Sequence, residues 1–375
     1  MTEPVRDPAT IAGPKPGIAL CLSGGGYRAM VFHLGALWRL NELGFLPKLD
    51  QVSSVSGGSI IAGVLALNWT RLSFDGSGVA SNFAEQVARP IRQMAGINVD
   101  SKSILEGLLL PGAVGDFVAG KYEKHLFGSA TLQDLPDKAQ FVFNATNVQS
   151  AALFRMTKAN LRDYRVGRVD RPTIKLAQAV AASSAFPPVL SPVMMKFPEG
   201  TFLPEDGNDL HRPPFTTELV LSDGGVYDNM GLEPAWKHFQ TILVSDGGQK
   251  TGPEEHPPHD WAWHGLRINS LIDNQVRSLR KRALIDSYTA NQRQGTYWGI
   301  GTNIEDYQLP DRLDGFPHED TLQIAALATR LKAMTDADQV RIINWGYAVC
   351  DAAMRTHVLP GTLPPSVVPE PGRRT

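Results

Sequence analysis

Ser54-Val55-Ser56-Gly57-Gly58 follows the strand-like Gln51-Val52-Ser53 and precedes the helix-like run Ser59 to Leu67. A serine between small residues, where a strand turns into a helix, has the logic of the nucleophile elbow G-x-S-x-G. Backbone and side chains crowd at such a turn, so its neighbours must be small. The turn projects the hydroxyl out of the chain. The helix behind it aims N–H groups and a partial positive charge at that hydroxyl. Here Ser54 stands where the pattern has its first glycine, so a Cβ must be accommodated.

A second strand-to-helix turn lies upstream. Gly17 to Leu22 is a short apolar run, readable as a buried strand. Ser23-Gly24-Gly25-Gly26-Tyr27-Arg28-Ala29 follows it. Met30, Phe32, Leu34, Leu37, Trp38 and Leu40 then continue at mainly helical spacing, closed by Gly44. Three glycines let a backbone come close to a ligand and present several amide donors, a nest for a phosphate or a developing oxyanion. The spacing is not G-x-G-x-x-G and no Gly-Lys-Ser/Thr follows, so this is no standard phosphate loop.

The third segment is Leu219-Val220-Leu221-Ser222-Asp223-Gly224-Gly225. It puts a carboxylate at the end of an apolar strand. Open α/β sheets carry their sites at the carboxyl ends of strands. A serine nucleophile needs a base and an oxyanion hole, and the three segments supply one part each. A second Asp-Gly-Gly, at Asp246, also follows an apolar run (Thr241 to Val244), and local pattern does not separate the two aspartates.

Taken in order, SGGGYRA at Ser23–Ala29, SVSGG at Ser54–Gly58 and DGG at Asp223–Gly225 resemble the patatin-like phospholipase family. The SGGGxRA form is closest to its cytosolic phospholipase A2 branch. Ala179 to Pro188 is similar to the family's Ala-Ser-x-Ala-x-Pro segment, and Gly224 to Asn229 to its DGG-x-x-x-N continuation. The resemblance covers roughly residues 17 to 245. It implies a three-layer α/β/α fold with a mostly parallel sheet, and a Ser56–Asp223 dyad in which aspartate is the base. It further implies oxyanion donors at Gly24, Gly25 and Gly26, and Arg28 as the candidate contact for a lipid phosphate. Among the two aspartates it favours Asp223, because Asp246 lacks the continuation and is expected to brace a turn instead. The activity implied is phospholipase A-type hydrolysis of fatty-acyl esters through an acyl-enzyme, with no cofactor or metal. The alternatives are a carboxylesterase for small or neutral lipid esters and a non-catalytic lipid- or nucleotide-binding module.

Nine histidines leave room for a Ser-His-Asp triad. In hydrolase chain order its histidine would follow the aspartate, which nominates His238 or His264. His33, inside the first helix, reads as structural. An aspartate acting without histidine must be partly buried to be a strong enough base near neutral pH.

A formal net charge of −2 gives no general attraction to nucleic acid. Two cysteines, Cys21 and Cys350, make no disulfide framework. The first residues lack an apolar signal core, and no apolar run is long enough to span a bilayer. The expected setting is cytoplasmic or at the membrane periphery, on a phospholipid surface, though export without a signal is also compatible with the sequence. One catalytic domain over residues 17–357 is expected, behind an N-terminal extension (1–16) and ahead of a Pro-rich flexible tail (358–375). Ile104 to Val114 is unusually apolar and reads as core or acyl-chain wall. Asn269 to Arg293 reads as a long helix whose Arg277, Arg280, Lys281 and Arg282 form a solvated face or meet anionic headgroups.

Overall fold

β1 (Lys15–Leu22) and β2 (Gln51–Ser54) are parallel neighbours, with Ala19 opposite Gln51 and Leu22 opposite Ser54. In the computed structural model, which describes residues 13–99, 113–205, 207–248 and 251–370, they lie at the heart of a ten-stranded sheet. The glycine turn leads from β1 into α1 (Gly26–Glu42), and the Ser56 turn leads from β2 into α2 (Gly57–Asn68). α3 (Arg89–Ala95) and α4 (Ala113–Tyr122) precede β3 (Gln140–Asn147), which runs parallel to β2. β4 (Ala152–Met156), β5 (Asn160–Asp163) and β6 (Gly167–Asp170) then extend the sheet as an antiparallel meander.

α5 (Leu176–Ser183) leads to an antiparallel pair, β7 (Val193–Lys196) and β8 (Glu218–Asp223). Two short helices, α6 (Gly225–Asp228) and α7 (Glu233–Trp236), connect to β9 (Phe239–Asp246). β9 returns to the parallel core beside β1. α8 (Trp261–Thr289) crosses to β10 (Gln294–Gly299), parallel to β9, and α9 (His318–Ala326) and α10 (Asp336–His357) close the chain. The parallel core is thus β10-β9-β1-β2-β3.

Side chains alternate across a strand, and here the alternation separates two cores. Leu20, Leu22 and Leu243 face one cluster with α1, α2 and α10. Ala19, Cys21, Ile242 and Val244 face another with Met230, Leu232, Ala235 of α7 and Leu284 of α8. Helices therefore cover both faces, which is why the central strands read as unbroken apolar runs. The layering is the expected α/β/α.

Two expectations meet the structure differently, and a third falls largely outside the described residues. The apolar stretch from Ile104 lies outside the described residues up to Pro111 and Gly112, and Ala113 and Val114 open α4. The long helix starts at Trp261, eight residues before Asn269, because the Asp260 side chain accepts from Trp263 N–H at 2.9 Å and caps it. The Pro-rich stretch after α10 packs as far as Glu370: Val368 is buried, and Glu370 N–H donates to Asn344 Oδ1 at 3.3 Å.

Candidate active site

Ser56 sits between β2 and α2 with φ 51° and ψ −118°. A side chain rarely takes positive φ, and strain of this kind persists only where the surroundings fix it. They do so here. Ser56 N–H is shared between the carbonyl and the hydroxyl of Ser183, at 3.2 and 3.1 Å. Ser183 Oγ also meets Ser59 Oγ at 2.8 Å, and Ser59 reaches Ser54 Oγ at 2.9 Å. A chain of three buried serines thus pins the turn. The same chain explains how Ser54 replaces a glycine: its hydroxyl is used, donating to Val142 O at 3.1 Å. Ser56 itself keeps a sliver of exposure, 7 %.

The glycine turn is stacked on this one. A Cβ on Gly57 would overlap Gly26 O, and a Cβ on Gly58 would overlap Leu22 O. Gly25 and Gly26 have φ of 142° and 60°. The three amides do not share one fate. Gly24 N–H donates to Asn229 O at 2.9 Å, so it is spent inside the fold. The amides of Gly25 and Gly26 have no partner among the described residues. This narrows the expected oxyanion donors from three to two.

Asp223 arrives by a route the parallel-strand rule does not describe. β8 is antiparallel to β3, with Leu221 opposite Asn147 and Asp223 opposite Ala145. It enters from beyond the carboxyl end of β3 and brings Asp223 down to the level just past Ser54, itself beside Phe143. The segment after α5 ties the two strand ends together. Ser183 O accepts from both Ser56 N–H and Gly224 N–H, and Ala185 O accepts from Asp223 N–H at 2.9 Å. Ser183 therefore bridges the two turns. Sequence reading quoted this residue within Ala179–Pro188 but gave it no role.

Asp223 Oδ1 accepts from Gly225 N–H at 2.7 Å, whereas Oδ2 is buried with no aligned partner. Burial pushes the carboxyl up to about 7, partly offset by Gly225 N–H and the Ser56 hydroxyl and reinforced by the charge of Asp273 on α8. The Ser56 hydroxyl is thus close enough to act on this carboxylate without forming an aligned hydrogen bond to it. Asp246 is the opposite case: it accepts from Gly248 N–H at 2.9 Å, as expected of a turn brace, and is also paired with Arg277.

Arg28 is buried. Its Nε and Nη2 donate to Gly247 O at 3.2 and 3.1 Å and its Nη1 to Leu327 O. Its guanidinium holds loops together instead of lying open at the mouth of the site. The histidines also resolve. His33 is buried, bonded to Ser23 O at 2.9 Å and Ser245 Oγ at 2.8 Å, and burial pulls it down to about 4. His238 O accepts from Lys15 N–H at the start of β1, which puts this residue at the amino edge of the sheet, away from Ser56. His264 is exposed near the start of α8, bonded to Pro258 O at 2.9 Å. No cluster of metal-binding side chains occurs among the described residues.

Comparison with known proteins agrees with this architecture. The family described as patatin-like phospholipase matches residues 20–236. No curated protein matches the sequence. Human GIVD cytosolic phospholipase A2 superposes with a TM-score of 0.51 at 13% identity, over 91% of this chain and 60% of that one. The same human enzyme in complex with methyl gamma-linolenyl fluorophosphonate gives 0.51 at 14% identity, over 90% and 57%. At this identity the likeness is one of fold, and the chain spans about 60% of the human protein's length.

Proposed function

The chain belongs to the patatin-like phospholipase family, and we propose that it is a serine lipid acyl hydrolase of the phospholipase A type, working through Ser56 and Asp223. The observation that carries the reading is the pairing of a strained serine with a buried carboxyl that has a spare oxygen. Ser56 is held at positive φ on the N-terminus of α2, and Asp223 Oδ2 lies buried and unpaired with its proton affinity raised to about 7. Buried acceptors without partners are rare and call for an explanation. Here the missing donor is the hydroxyl proton of the nucleophile.

In the proposed reaction Ser56 Oγ attacks the ester carbonyl while its proton passes to Asp223. A base with a proton affinity near the working pH suits both halves of the cycle. Negative charge developing on the carbonyl oxygen meets the amides of Gly25 and Gly26 and the positive end of α2. Asp223 then returns the proton to the leaving alkoxide, which departs as the lyso product. A water deprotonated by Asp223 attacks the acyl-enzyme, the bond between the acyl carbon and Ser56 Oγ breaks, Oγ takes the proton back from Asp223, and the fatty acid leaves.

The engagement of Arg28 with backbone carbonyls supports a second reading, a carboxylesterase for neutral lipid esters that needs no phosphate contact. A fluorophosphonate probe tests the core of both. It should label Ser56, as mapped on peptides, and Ser56→Ala should remove the label and lower turnover by several orders of magnitude. An adduct on Ser54, Ser59 or Ser183 would overturn the assignment. Comparing turnover of a phospholipid with that of a neutral diacylglycerol then separates the two substrate classes.

A further inference from the structure

α8 is 29 residues long, and only Leu284 and Ser287 on it are buried. Its inward side is committed to the rim of the sheet. Arg277 pairs with Asp246 at 2.9 Å, Arg280 with Glu233 at 3.0 Å, and Asp273 acts on Asp223. Its outward side carries an apolar stripe where a solvated helix face would be polar throughout, with the exposed Asp286 in line beyond the stripe's end. Trp261, Ile268, Ile272 and Leu279 are 90 %, 42 %, 56 % and 48 % exposed. They fall at i, i+7, i+11 and i+18, which on a helix of 3.6 residues per turn puts them within an arc of about 40°. The result is a straight apolar stripe roughly 27 Å long at 1.5 Å per residue. Trp263, 66 % exposed, is about 200° round the helix from Trp261 and lies off the stripe.

We propose that this stripe is the lipid-docking face of the protein, laid in the headgroup region of a bilayer that contains anionic lipid. The proposal rests on the reading that the substrate is a membrane lipid. Three observations favour a bilayer over a protein partner. Tryptophan prefers the membrane–water interface, where an apolar ring with a polar N–H is satisfied on both sides, and Trp261, 90 % exposed, opens this stripe. Of the five cations of the helix, Arg277 and Arg280 pair inward, Arg267 pairs with Glu254 and Lys281 lies over the Tyr297 ring, which leaves Arg282 beside the stripe. Arg282, one turn beyond Leu279, is exposed and forms no ion pair among the described residues, so it is available to a phosphate. Low overall hydrophobicity with a one-sided apolar stripe and basic residues is the pattern of helices that lie in the interface plane instead of crossing it, and no described helix is long and apolar enough to cross. The stripe also offers on the order of 500 Å² of apolar surface, short of the roughly 800 Å² per partner of a stable protein interface.

The consequence is positional. The opposite face of the same helix touches the rim that carries Asp246 and bears on Asp223. A bilayer seated on the stripe would lie one helix diameter, about 10 Å, from that rim, so docking would hold the candidate site against its substrate.

The test uses the full chain with Ser56→Ala, so that vesicles are not consumed. Binding is read by flotation with phosphatidylcholine vesicles and with vesicles containing about 30% phosphatidylserine, the anionic surface that attracts basic segments. The combined variant Trp261→Ser, Ile268→Ser, Ile272→Ser, Leu279→Ser should lose at least about tenfold in vesicle affinity, because these side chains supply the buried apolar area. Arg282→Glu should weaken binding only to the anionic vesicles. On the Ser56 background, the stripe variant should hydrolyse a short-chain water-soluble ester at the parent rate and vesicular phospholipid far more slowly. Undiminished vesicle binding by the stripe variant, or no binding by the parent, overturns the docking face. A concentration-dependent dimer abolished by the stripe variant, without vesicle binding, would assign the face to a second copy and overturn it too. Absence of all ester hydrolysis in the parent would strike the catalytic reading alone, since binding is measured without turnover.

Discussion

Arg277 donates from one guanidinium nitrogen to both oxygens of Asp246, at 3.1 and 2.9 Å, and Tyr297 adds its hydroxyl at 2.8 Å. Burial alone would raise this carboxyl; Arg277, Gly248 N–H and Tyr297 overcome it and hold Asp246 down to about 2. Asp223 shares the Asp-Gly-Gly sequence but receives one aligned hydrogen bond and sits at about 7. Identical local sequence thus yields a structural anion in one place and, in the other, a carboxyl of raised proton affinity that the proposed reaction uses as its base. Asp246→Asn should destabilise the protein by about 3–5 kcal/mol, because it leaves a buried arginine without its counter-charge. Asp223→Asn should fold normally and lose hydrolysis, since an amide cannot take the serine proton. Denaturant unfolding and ester turnover on both variants decide it. A stable, inactive Asp246→Asn beside an active Asp223→Asn would reverse the roles.

The stacked turns set a second expectation. A methyl on Gly57 overlaps Gly26 O and must drive the serine turn away from the glycine turn. A displacement of this kind, on the order of 1 Å, is enough to cost about 100-fold in rate. Gly57→Ala should show at least that loss while far-ultraviolet circular dichroism stays near the parent's. Gly120, in α4, meets nothing within 4 Å. Gly120→Ala should leave turnover alone and add about 0.5–1 kcal/mol of stability from helix propensity. If Gly57→Ala keeps full activity, contact between the two turns is not what positions Ser56.

The turns were legible because they depend on residue size, and size is written in the chain. Both strand–turn–helix units fall where the apolar runs and glycines put them, from β1 into α1 and from β2 into α2. What sequence could not carry was strand direction. Asp223 was assigned to the rim by the rule for parallel strands, yet β8 runs antiparallel and reaches the same level from the other side. A strand of six residues shows burial but not orientation. Ser183 stayed hidden for a related reason, because its role is to join two turns 127 and 41 positions away, through a backbone carbonyl that any residue possesses. The partners of Arg28 stayed hidden because its motif position says nothing of the carbonyls of Gly247 and Leu327, which come from distant loops.

Arg28 now carries a changed expectation. Burial, with Arg277 nearby, pulls its guanidinium down to about 10, and its donors are used on backbone carbonyls. Arg28→Ala should cost about 1–3 kcal/mol, the penalty for stranding buried acceptors. Its effect on turnover should be the same fold-change for a phospholipid and an uncharged ester. A loss confined to the phospholipid would restore the phosphate contact that the motif implies.

The two aspartates also divide the pH dependence into separate windows. Asp223 is raised from an unfolded value near 4 to about 7, so between those limits the folded state binds the extra proton. Stability from this group is complete below pH about 4 and declines as pH rises to about 7, by at most about 4 kcal/mol. Asp246 has the opposite sign. Its folded value of about 2 lies below the unfolded one, so its contribution is present above pH about 4 and is lost as pH falls towards 2. Activity follows the ionised form of Asp223: kcat/KM should rise with pH and level off above an apparent pKa near 7. In the proposed reaction the enzyme would work where its own base is costing it stability, a trade common at catalytic groups. His33, held down to about 4, adds stability as pH rises over part of the same window, so the test is the difference between the two proteins: the unfolding free energy of Asp223→Asn minus that of the parent should rise from pH 4 to 8. A difference that does not change with pH would place the titrating group elsewhere. A kcat/KM profile flat down to pH 5 would show that the base ionises well below neutrality, against the raised proton affinity of Asp223.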